Sequence, residues 1–223
     1  MAIDLLTPRQ KAFLEAAGKD DFVCENFYLT GGTALAALYL GHRYSEDLDF
    51  FSEKEIDVLA LDVFLRKLQA PLSVKKFDFQ QSYNRNLVFL EYEDDEILKT
   101  EFTFFPFPRI EKGRREYGIE TDSLPDIAIN KLFTIYQRVK ARDYIDLYLI
   151  CRDKNFTIAD LIPKARAKFD WHIDPLQLGT QFLKAREAAD LPRMIAPITN
   201  EEWRSFFVDE AKKMKQEVLD AFS

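Results

Sequence analysis

The chain has 223 residues, of which 47% are hydrophobic and 31% charged, and its net charge is −7. This composition is typical of a folded protein and excludes an intrinsically disordered one. The acidic balance argues against a protein that coats nucleic acid, which needs a broad basic face. Basic residues are concentrated locally at 109–115 and 131–142, and such stretches fit either a solvated surface or a local groove.

The sequence does not predict a membrane protein. No apolar run approaches the roughly 20 residues that cross a bilayer, and the first residues lack the pattern of a signal peptide. Cys24 and Cys151 lie far apart and lack the spacing of metal ligands. We therefore expect free thiols, a cytoplasmic location and no membrane partner.

The first half of the chain alternates between helical and strand-like patterns. Thr7 is a plausible N-cap of the first helix, and Gly41 is a plausible end of the second. In chain order, the predicted elements are a helix over 7–17, a strand over 22–30, a helix over 33–40, a strand over 47–51, a helix over 56–68, and strands over 74–79, 86–92 and 97–105. The last two strands flank an acidic turn and predict a hairpin.

The second half of the chain has helical periodicity throughout. The predicted helices cover about 127–138, 143–151, 159–169, 175–187 and 201–221. The fold class is therefore α+β, with a mixed sheet and flanking helices followed by a helical domain. We place the domain boundary in the charged, Pro- and Gly-containing stretch 108–125, which gives an α/β domain over 1–115 and a helical domain over 116–223.

Asp47 and Asp49 are candidate metal ligands. They lie two residues apart on a predicted strand, so both side chains leave the same face, roughly 6–7 Å apart. Leu48 and Phe50 point the other way, into a core. Two acids on one face repel each other unless a cation lies between them, and Mg²⁺ binds a few carboxylates together with nucleotide phosphates. An exposed, solvated strand end is the alternative interpretation.

A glycine turn precedes this pair. Gly31, Gly32 and Thr33 follow a predicted strand and open a helix, where backbone N–H groups can approach a phosphate. Thr33 is expected to cap the helix, to bind a phosphate, or to do both. An ordinary connection between a strand and a helix fits the same residues.

A third carboxylate is expected on a neighbouring strand. Glu101 shares one face of its predicted strand with Lys99 and Thr103, opposite Phe102. In a two-metal site such an acid acts on the attacking hydroxyl. An exposed strand acid is equally compatible with the pattern, and Glu91 is the competing candidate.

The helical half contributes further charged candidates. Lys131 lies in an apolar stretch, where it is suited either to reach solvent or to bind a triphosphate. Arg142 and Asp146 lie four residues apart on a helix, and Asp143 and Asp146 three apart, so an intrahelical ion pair is a simple explanation for them.

Taken together, these motifs resemble the AbiEii/AbiGii-type nucleotidyltransferase toxin family. The motifs are FYLTGGTAL at 27–35, HRYSEDLDFF at 42–51, NKL at 130–132 and RDYIDLY at 142–148. The resemblance covers most of residues 25–150. It implies a DNA-polymerase-β-like nucleotidyltransferase fold with an added helical domain that completes the active-site cleft.

The resemblance also implies roles for residues. Asp47 and Asp49 would hold Mg²⁺, and Asp146 would complete the site. The remaining implied roles concern the nucleotide. Gly32 and Thr33, with Gly31 beside them, would bind the triphosphate of an NTP. Lys131 would contact its phosphates, and Arg142 would also bind the nucleotide. Many relatives have Gly-Ser where this chain has Gly-Gly-Thr, so Thr33 would supply a hydroxyl there.

Proteins of this family are toxins of toxin–antitoxin or phage-defence systems, and some transfer nucleotides to the acceptor end of tRNA. The resemblance thus implies an NTP substrate, an RNA acceptor such as tRNA, and an antitoxin partner. Transfer to a protein acceptor, and a non-catalytic partner-binding module on the same fold, remain alternatives. The charged residues Asp47, Asp49 and Lys131 favour an enzyme, because a module that only binds has no need of them.

Overall fold

Within the first part of the chain, seven strands form one mixed sheet. The computed structural model describes residues 5–220. The strands are β1 (Tyr28–Thr30), β2 (Leu48–Ser52), β3 (Val74–Ser82), β4 (Arg85–Tyr92), β5 (Ile97–Phe104), β6 (Arg115–Glu116) and β7 (Ile119–Thr121). Their order across the sheet is β3-β4-β5-β2-β1-β7-β6. The β2–β5 and β1–β7 pairs are parallel, and the other pairs are antiparallel, including the predicted β4–β5 hairpin.

Four helices accompany this sheet in the described residues. They are α1 (Pro8–Ala17), α2 (Asp21–Asn26), α3 (Gly31–Leu35) and α4 (Val58–Gln69). Thr7 caps α1 as predicted: its hydroxyl accepts from the Gln10 N–H, and the Gln10 side chain accepts from the Thr7 N–H. A π-helical turn over Ala36–Leu40 extends α3, and Gly41 ends it with a φ of 66°, in the left-handed region.

The strand predicted over 22–30 is wrong in its first part. The carboxylate of Asp20 accepts from the Phe22 N–H at 3.0 Å and so caps α2. Only Tyr28–Thr30 pairs with the sheet. The apolar residues of α2 are too few for a helical period to emerge from the sequence.

Stacked aromatic rings form the core under the sheet. Phe50 on β2 and Phe102 on β5 stack with ring centroids 4.9 Å apart. Phe13 from α1 lies against Phe50, and Phe64 from α4 lies against Phe102. All four side chains are buried, which confirms that Phe50 points into the core and leaves Asp49 and Glu101 on the opposite face of β2 and β5.

The chain divides into two compact units, Met1–Leu124 and Pro125–Ser223. This division differs from the boundary predicted at 115/116, because β6 and β7 pair onto the sheet through β1 and so belong to the first unit. These two short strands were not predicted. Two and three residues are too short for an alternating pattern to be recognised.

The second unit is helical. Its main helices are α5 (Leu124–Gln137), α6 (Ala141–Lys154), α7 (Ile158–Phe169), α8 (Pro175–Leu183) and α9 (Asn200–Asp220). These confirm the predicted helices over the described range, while residue 221 of the last prediction lies outside it. Tyr144, Phe182, Trp203 and Phe207 are buried in the core of this unit.

Neither cysteine forms a disulfide, as expected. Burial raises the pKa of the Cys151 thiol to about 12, so it stays protonated at neutral pH. Among the described residues, no helix combines the length and apolar character that a membrane span requires.

Candidate active site

Asp49 and Gly31 lie against each other at the junction of β2 and α3. Gly31 has a φ of 74°, and a Cβ built on it would overlap the Oδ2 atom of Asp49. Asp49 is directly opposite Thr30 in the antiparallel β1–β2 pair, which brings the carboxylate over the glycine turn. The turn therefore needs glycine at this position for two reasons, its left-handed backbone and the space taken by the carboxylate.

Glu101 is the cross-strand neighbour of Asp49. The parallel β2–β5 register pairs Asp49 with Glu101, so both side chains leave the same face of strands that lie about 4.8 Å apart. Glu91, the competing candidate, pairs with Ile97 at the far end of β5 and binds Lys76 at 3.5 Å. The tertiary geometry thus favours Glu101 over Glu91 as the third carboxylate of a cluster with Asp47 and Asp49.

A bidentate ion pair holds Glu101. The Nε and Nη2 atoms of Arg85 each donate to the carboxylate at 2.6 Å, and the Thr103 hydroxyl donates at 2.8 Å. Burial of Glu101 raises its pKa, but these hydrogen bonds and the charges of Arg85 and Lys99 outweigh the burial, so the net pKa lies below its usual value. Glu101 is therefore ionised at neutral pH.

Lys99 neutralises Asp47 in a similar way. Its Nζ lies 2.6 Å from the Asp47 Oδ2, and each side chain is 31% exposed. Lys99 stands two residues before Glu101 on the same face of β5, and its charge also lowers the pKa of Glu101. Two cations, Lys99 and Arg85, thus accompany the acidic cluster.

Thr33 does not have the capping role that was one of its two predicted roles. It is not the N-cap of α3, because the helix begins at Gly31 and its N-cap is Thr30. The Thr33 hydroxyl donates to the backbone carbonyl of Asp47, and the side chain is buried. Thr33 therefore fixes the backbone that carries Asp47 to Asp49.

Thr30 does not cap α3 with its side chain. Its hydroxyl donates to the Asp122 carboxylate at 2.7 Å instead. The Thr30 side chain therefore accepts no hydrogen bond from the first N–H groups of α3. These N–H groups are suited to an acceptor from outside the helix.

Arg43 and Ser45 lie over Gly32. A Cβ built on Gly32 would overlap the Arg43 guanidinium and would lie 3.1 Å from the Ser45 Oγ. Arg43 is buried, and its Nη1 donates to the Tyr44 carbonyl at 3.0 Å. Position 32 suits glycine because the Arg43 guanidinium and the Ser45 hydroxyl occupy the space that a side chain would need.

Lys131 and Asp146 come together inside the helical unit. The Lys131 Nζ lies 2.7 Å from both Asp146 Oδ2 and Asp143 Oδ1, and all three side chains are largely buried. Arg138 reaches the other oxygen of Asp143 at 3.3 Å. Lys131 therefore does not extend to solvent, and Asp146 pairs with this lysine of α5.

Arg142 is separate from this buried group. Its side chain is exposed, whereas Asp146, one turn further along α6, is fully buried. The simple intrahelical pair between Arg142 and Asp146 is thus not the arrangement found in the described part of the chain. Arg142 keeps an exposed guanidinium.

The first basic stretch is partly structural. Arg109 binds Glu120 at 2.9 Å and lies over the Tyr28 ring, and Arg114 lies over the Tyr39 ring. Lys112 and Arg115 of the same stretch are exposed. Only part of its charge is therefore directed to solvent.

Sequence reasoning gave no role to Arg43, Ser45, Arg85 or Lys99. Two of these had a usable signal, since Ser45 lies two residues before Asp47 and Lys99 two before Glu101. Arg43 and Arg85 reach the site through the loop before β2 and through the β4–β5 register, which local spacing does not reveal.

The carboxylates fit a divalent cation by their chemistry. Hard oxygen donors on adjacent strands are the ligands that Mg²⁺ prefers, and the Lys99 ammonium already supplies positive charge at Asp47. The described residues contain no group of three or more His, Cys, Asp or Glu side chains arranged as a complete metal site. A nucleotide metal site does not need one, because the phosphates and water supply the remaining ligands.

Comparisons with known proteins agree with this fold. The uncharacterized protein aq_aa25 of Aquifex aeolicus is 31% identical over 151 residues, which are 66% of this chain and 68% of that protein. The crystal structure of JHP933 from Helicobacter pylori matches with a TM-score of 0.59 at 21% identity, over 96% of this chain and 94% of that one. MenT4, the nucleotidyltransferase toxin Rv2826c from Mycobacterium tuberculosis H37Rv, matches with a TM-score of 0.51 at 15% identity, over 94% and 86% of the two chains.

These structural likenesses confirm the predicted α+β fold, with a mixed sheet, flanking helices and C-terminal helices. The model of the family described as nucleotidyl transferase AbiEii toxin, type IV toxin–antitoxin system, matches residues 12–221, nearly the whole chain. The chain therefore belongs to the AbiEii nucleotidyl transferase toxin family and is a nucleotidyltransferase.

Proposed function

We propose that the chain transfers a nucleotide from an NTP to the 3′ hydroxyl of an RNA, with tRNA as the acceptor and Mg²⁺ as the metal. One observation carries the proposal: Asp49 and Glu101 are register neighbours on β2 and β5, beside Asp47 and against the Gly31 turn. Membership of a nucleotidyltransferase family supports the class of reaction.

The reaction forms a bond between the acceptor oxygen and the α-phosphorus of the NTP. The bond from the α-phosphorus to the bridging oxygen breaks, and pyrophosphate leaves with the electron pair. Asp47 and Asp49 would hold Mg²⁺, which when bound stabilises negative charge on the phosphates. Asp49 on β2, with Asp47 directly before that strand, is the arrangement that supports the assignment.

Glu101 is the proposed acceptor for the hydrogen of the attacking hydroxyl. Its low pKa keeps it ionised, and its bond to Arg85 makes it a weak base. Its contribution is therefore to orient the hydroxyl more than to remove the proton early. Asp146 is the alternative residue for this role by the family resemblance.

The glycine turn and several cations are the proposed nucleotide contacts. Gly31 and Gly32 leave backbone N–H groups near the start of α3 for phosphate oxygens, and Thr33 keeps Asp47 in place. Lys131 and Arg142 are proposed phosphate contacts, as the resemblance implies. The exposure of Arg142 supports its part in this proposal.

We further propose that the chain acts in a cytoplasmic toxin–antitoxin or phage-defence system. A type IV toxin–antitoxin family supports a cognate antitoxin protein as a partner. The toxic output would follow from blocked acceptor ends of RNA.

The test uses the purified chain with Mg²⁺, each α-³²P-labelled NTP in turn, and total bacterial tRNA. A parallel sample contains tRNA whose 3′ diol has been oxidised by periodate. Asp49→Asn removes a proposed metal ligand, and Asp62→Asn is the matched control, because Asp62 is an acid of α4 that pairs only with Arg66 among the described contacts.

We expect label in intact tRNA with wild type and Asp62→Asn, but not with Asp49→Asn or with oxidised tRNA. Equal labelling of oxidised tRNA would contradict transfer to the 3′ end. Label in protein would show that the acceptor is a protein and not RNA. Absence of label in every acceptor, together with absence of NTP binding, would contradict the enzymatic proposal.

A further inference from the structure

A cavity in the helical unit is lined by aromatic rings and carboxamides. It has a volume of about 320 Å³ and is bounded by Phe133, Tyr136, Gln137, Trp171, Gln177 and Gln181. We propose that this cavity binds the nucleobase of an unpaired nucleotide. We call it the base cavity. The choice of RNA as the source of that nucleotide rests on the proposed function, whereas the binding of a base does not.

The base cavity lies on the far side of α5 from Lys131. At about 100° per residue, Phe133 and Tyr136 project roughly 200° and 140° from Lys131 around the helix. Lys131 points to Asp143 and Asp146 on α6, while Tyr136 contacts Gln177 on α8. The cavity is therefore a site separate from the buried Lys131 group.

The aromatic wall suits a flat ring. Phe133 stacks on Phe169 with centroids 3.9 Å apart, which holds the Phe133 ring in place. Trp171 is 57% exposed although it is a large apolar side chain, so its ring is accessible to a stacking partner. Unpaired RNA bases are commonly held by stacking on aromatic side chains.

Two carboxamides are held in fixed orientations beside this wall. The Tyr136 hydroxyl donates to the Gln177 Oε1 at 2.9 Å, so the amide nitrogen of Gln177 is directed away from Tyr136. The Gln181 amide nitrogen donates to the Tyr136 carbonyl at 3.2 Å, which fixes that side chain as well. These bonds assign the oxygen and nitrogen positions of both amides.

One amide group of this pair, the nitrogen of Gln177, is left as a donor for a ligand. The Gln181 Oε1 has no hydrogen-bond partner among the described residues, but it is closed to solvent and is not part of the proposed ligand contact. The Gln177 amide nitrogen supplies a donor. Glutamine side chains recognise nucleobases by hydrogen bonds to their polar edges, whereas a purely apolar ligand would leave the Gln177 donor unused.

A cation continues the same stripe of α8. Gln177 and Gln181 share one face of α8, and Lys184, the C-cap residue of this helix, follows at i+7. Lys184 is thus placed to meet a phosphate next to the bound base. The Asp174 carboxylate, at the start of α8, accepts hydrogen bonds from the N–H groups of Leu176 and Gln177.

The test measures tryptophan fluorescence of the full chain in the Asp49→Asn background without divalent cation. Binding is then independent of nucleotidyl transfer, and Trp203 is buried, so Trp171 is the responsive reporter. The titrants are the four ribonucleoside monophosphates, short single-stranded oligoribonucleotides, and an abasic oligoribonucleotide of equal length. Trp171→Phe gives the background signal.

We expect saturable quenching by base-containing oligoribonucleotides, weakened about tenfold by Gln177→Leu and by loss of the base. Gln81→Leu, an exposed glutamine of β3, is the matched control and should bind as wild type does. Quenching by monophosphates alone would assign the cavity to free nucleotides. Equal binding of the abasic oligomer, no saturable quenching, or no difference between the two glutamine variants would overturn the proposal.

Discussion

Lys99 and Asp47 form an ion pair across β5 and the start of β2, with 2.6 Å between Nζ and Oδ2. Together with the Arg85–Glu101 pair, it supplies positive charge to an acidic cluster that would otherwise repel itself. The protein's own cations therefore offset the repulsion among Asp49, its register neighbour Glu101 and Asp47, which lies just before β2. A divalent cation would have to compete with them.

Lys99→Met should tighten binding of a divalent cation severalfold, because the competing ammonium is removed. The free energy of unfolding without metal should fall by about 0.5–1 kcal/mol, as expected for a partly exposed pair. Electron paramagnetic resonance of Mn²⁺ measures the first change, and urea denaturation the second. Lys76→Met, which removes the more exposed pair with Glu91, is the control and should leave Mn²⁺ binding unchanged. Unaltered Mn²⁺ affinity in Lys99→Met would contradict this interpretation.

Gly31→Ala should cost about 1–3 kcal/mol of stability and displace Asp49, because the new Cβ overlaps its carboxylate and φ is positive. Gly41→Ala is a matched control: Gly41 also has a positive φ, but open space surrounds its Cβ position. It should cost about 1 kcal/mol and keep nucleotidyl transfer. Chemical denaturation and the labelling assay measure the two effects. Equal activity of both alanine variants would show that the Gly31–Asp49 contact is not required.

Lys131→Met should destabilise the chain by about 3–5 kcal/mol, since it leaves two buried carboxylates without their shared cation. Lys168→Met breaks another buried ion pair, which Lys168 forms with Asp126 at 2.6 Å, and is the structural control. Unfolding curves should show comparable losses. If Lys131 also contacts phosphates, its variant loses transfer per folded molecule, whereas Lys168→Met keeps it. Full transfer by folded Lys131→Met would restrict that lysine to a structural role.

Glu101 should make stability depend on acidic pH. Its folded pKa lies below the usual 4.5, so its bond to Arg85 stabilises the fold above that value and is lost as the pH falls through the folded pKa. The difference in unfolding free energy between wild type and Glu101→Gln should therefore shrink as the pH is lowered below about 4.5. Denaturation of both proteins across this range measures it. A difference that does not change with pH would exclude the ion pair as its source.

Local sequence patterns were sufficient for most elements and for the acidic motif. The capping pair Thr7 and Gln10 is three residues apart, and the alternation that buries Leu48 and Phe50 while leaving Asp49 on the other face is a property of one strand. Helix α2 was not predicted because its short apolar run resembles a strand. The segment is nevertheless helical, and the Asp20 side chain caps its first turn.

The chain's own sequence determined which residue types stand at the glycine turn, the Asp47–Asp49 strand and the Lys131 helix, because each is a short-range pattern. Tertiary structure decided which of them meet. The β2–β5 register placed Glu101, and not Glu91, beside Asp49, strand pairing brought Arg85 to Glu101, and helix packing joined Lys131 to Asp146. Those contacts depend on pairing between segments distant in sequence, and their energies arise only when the core closes and removes the charges from water.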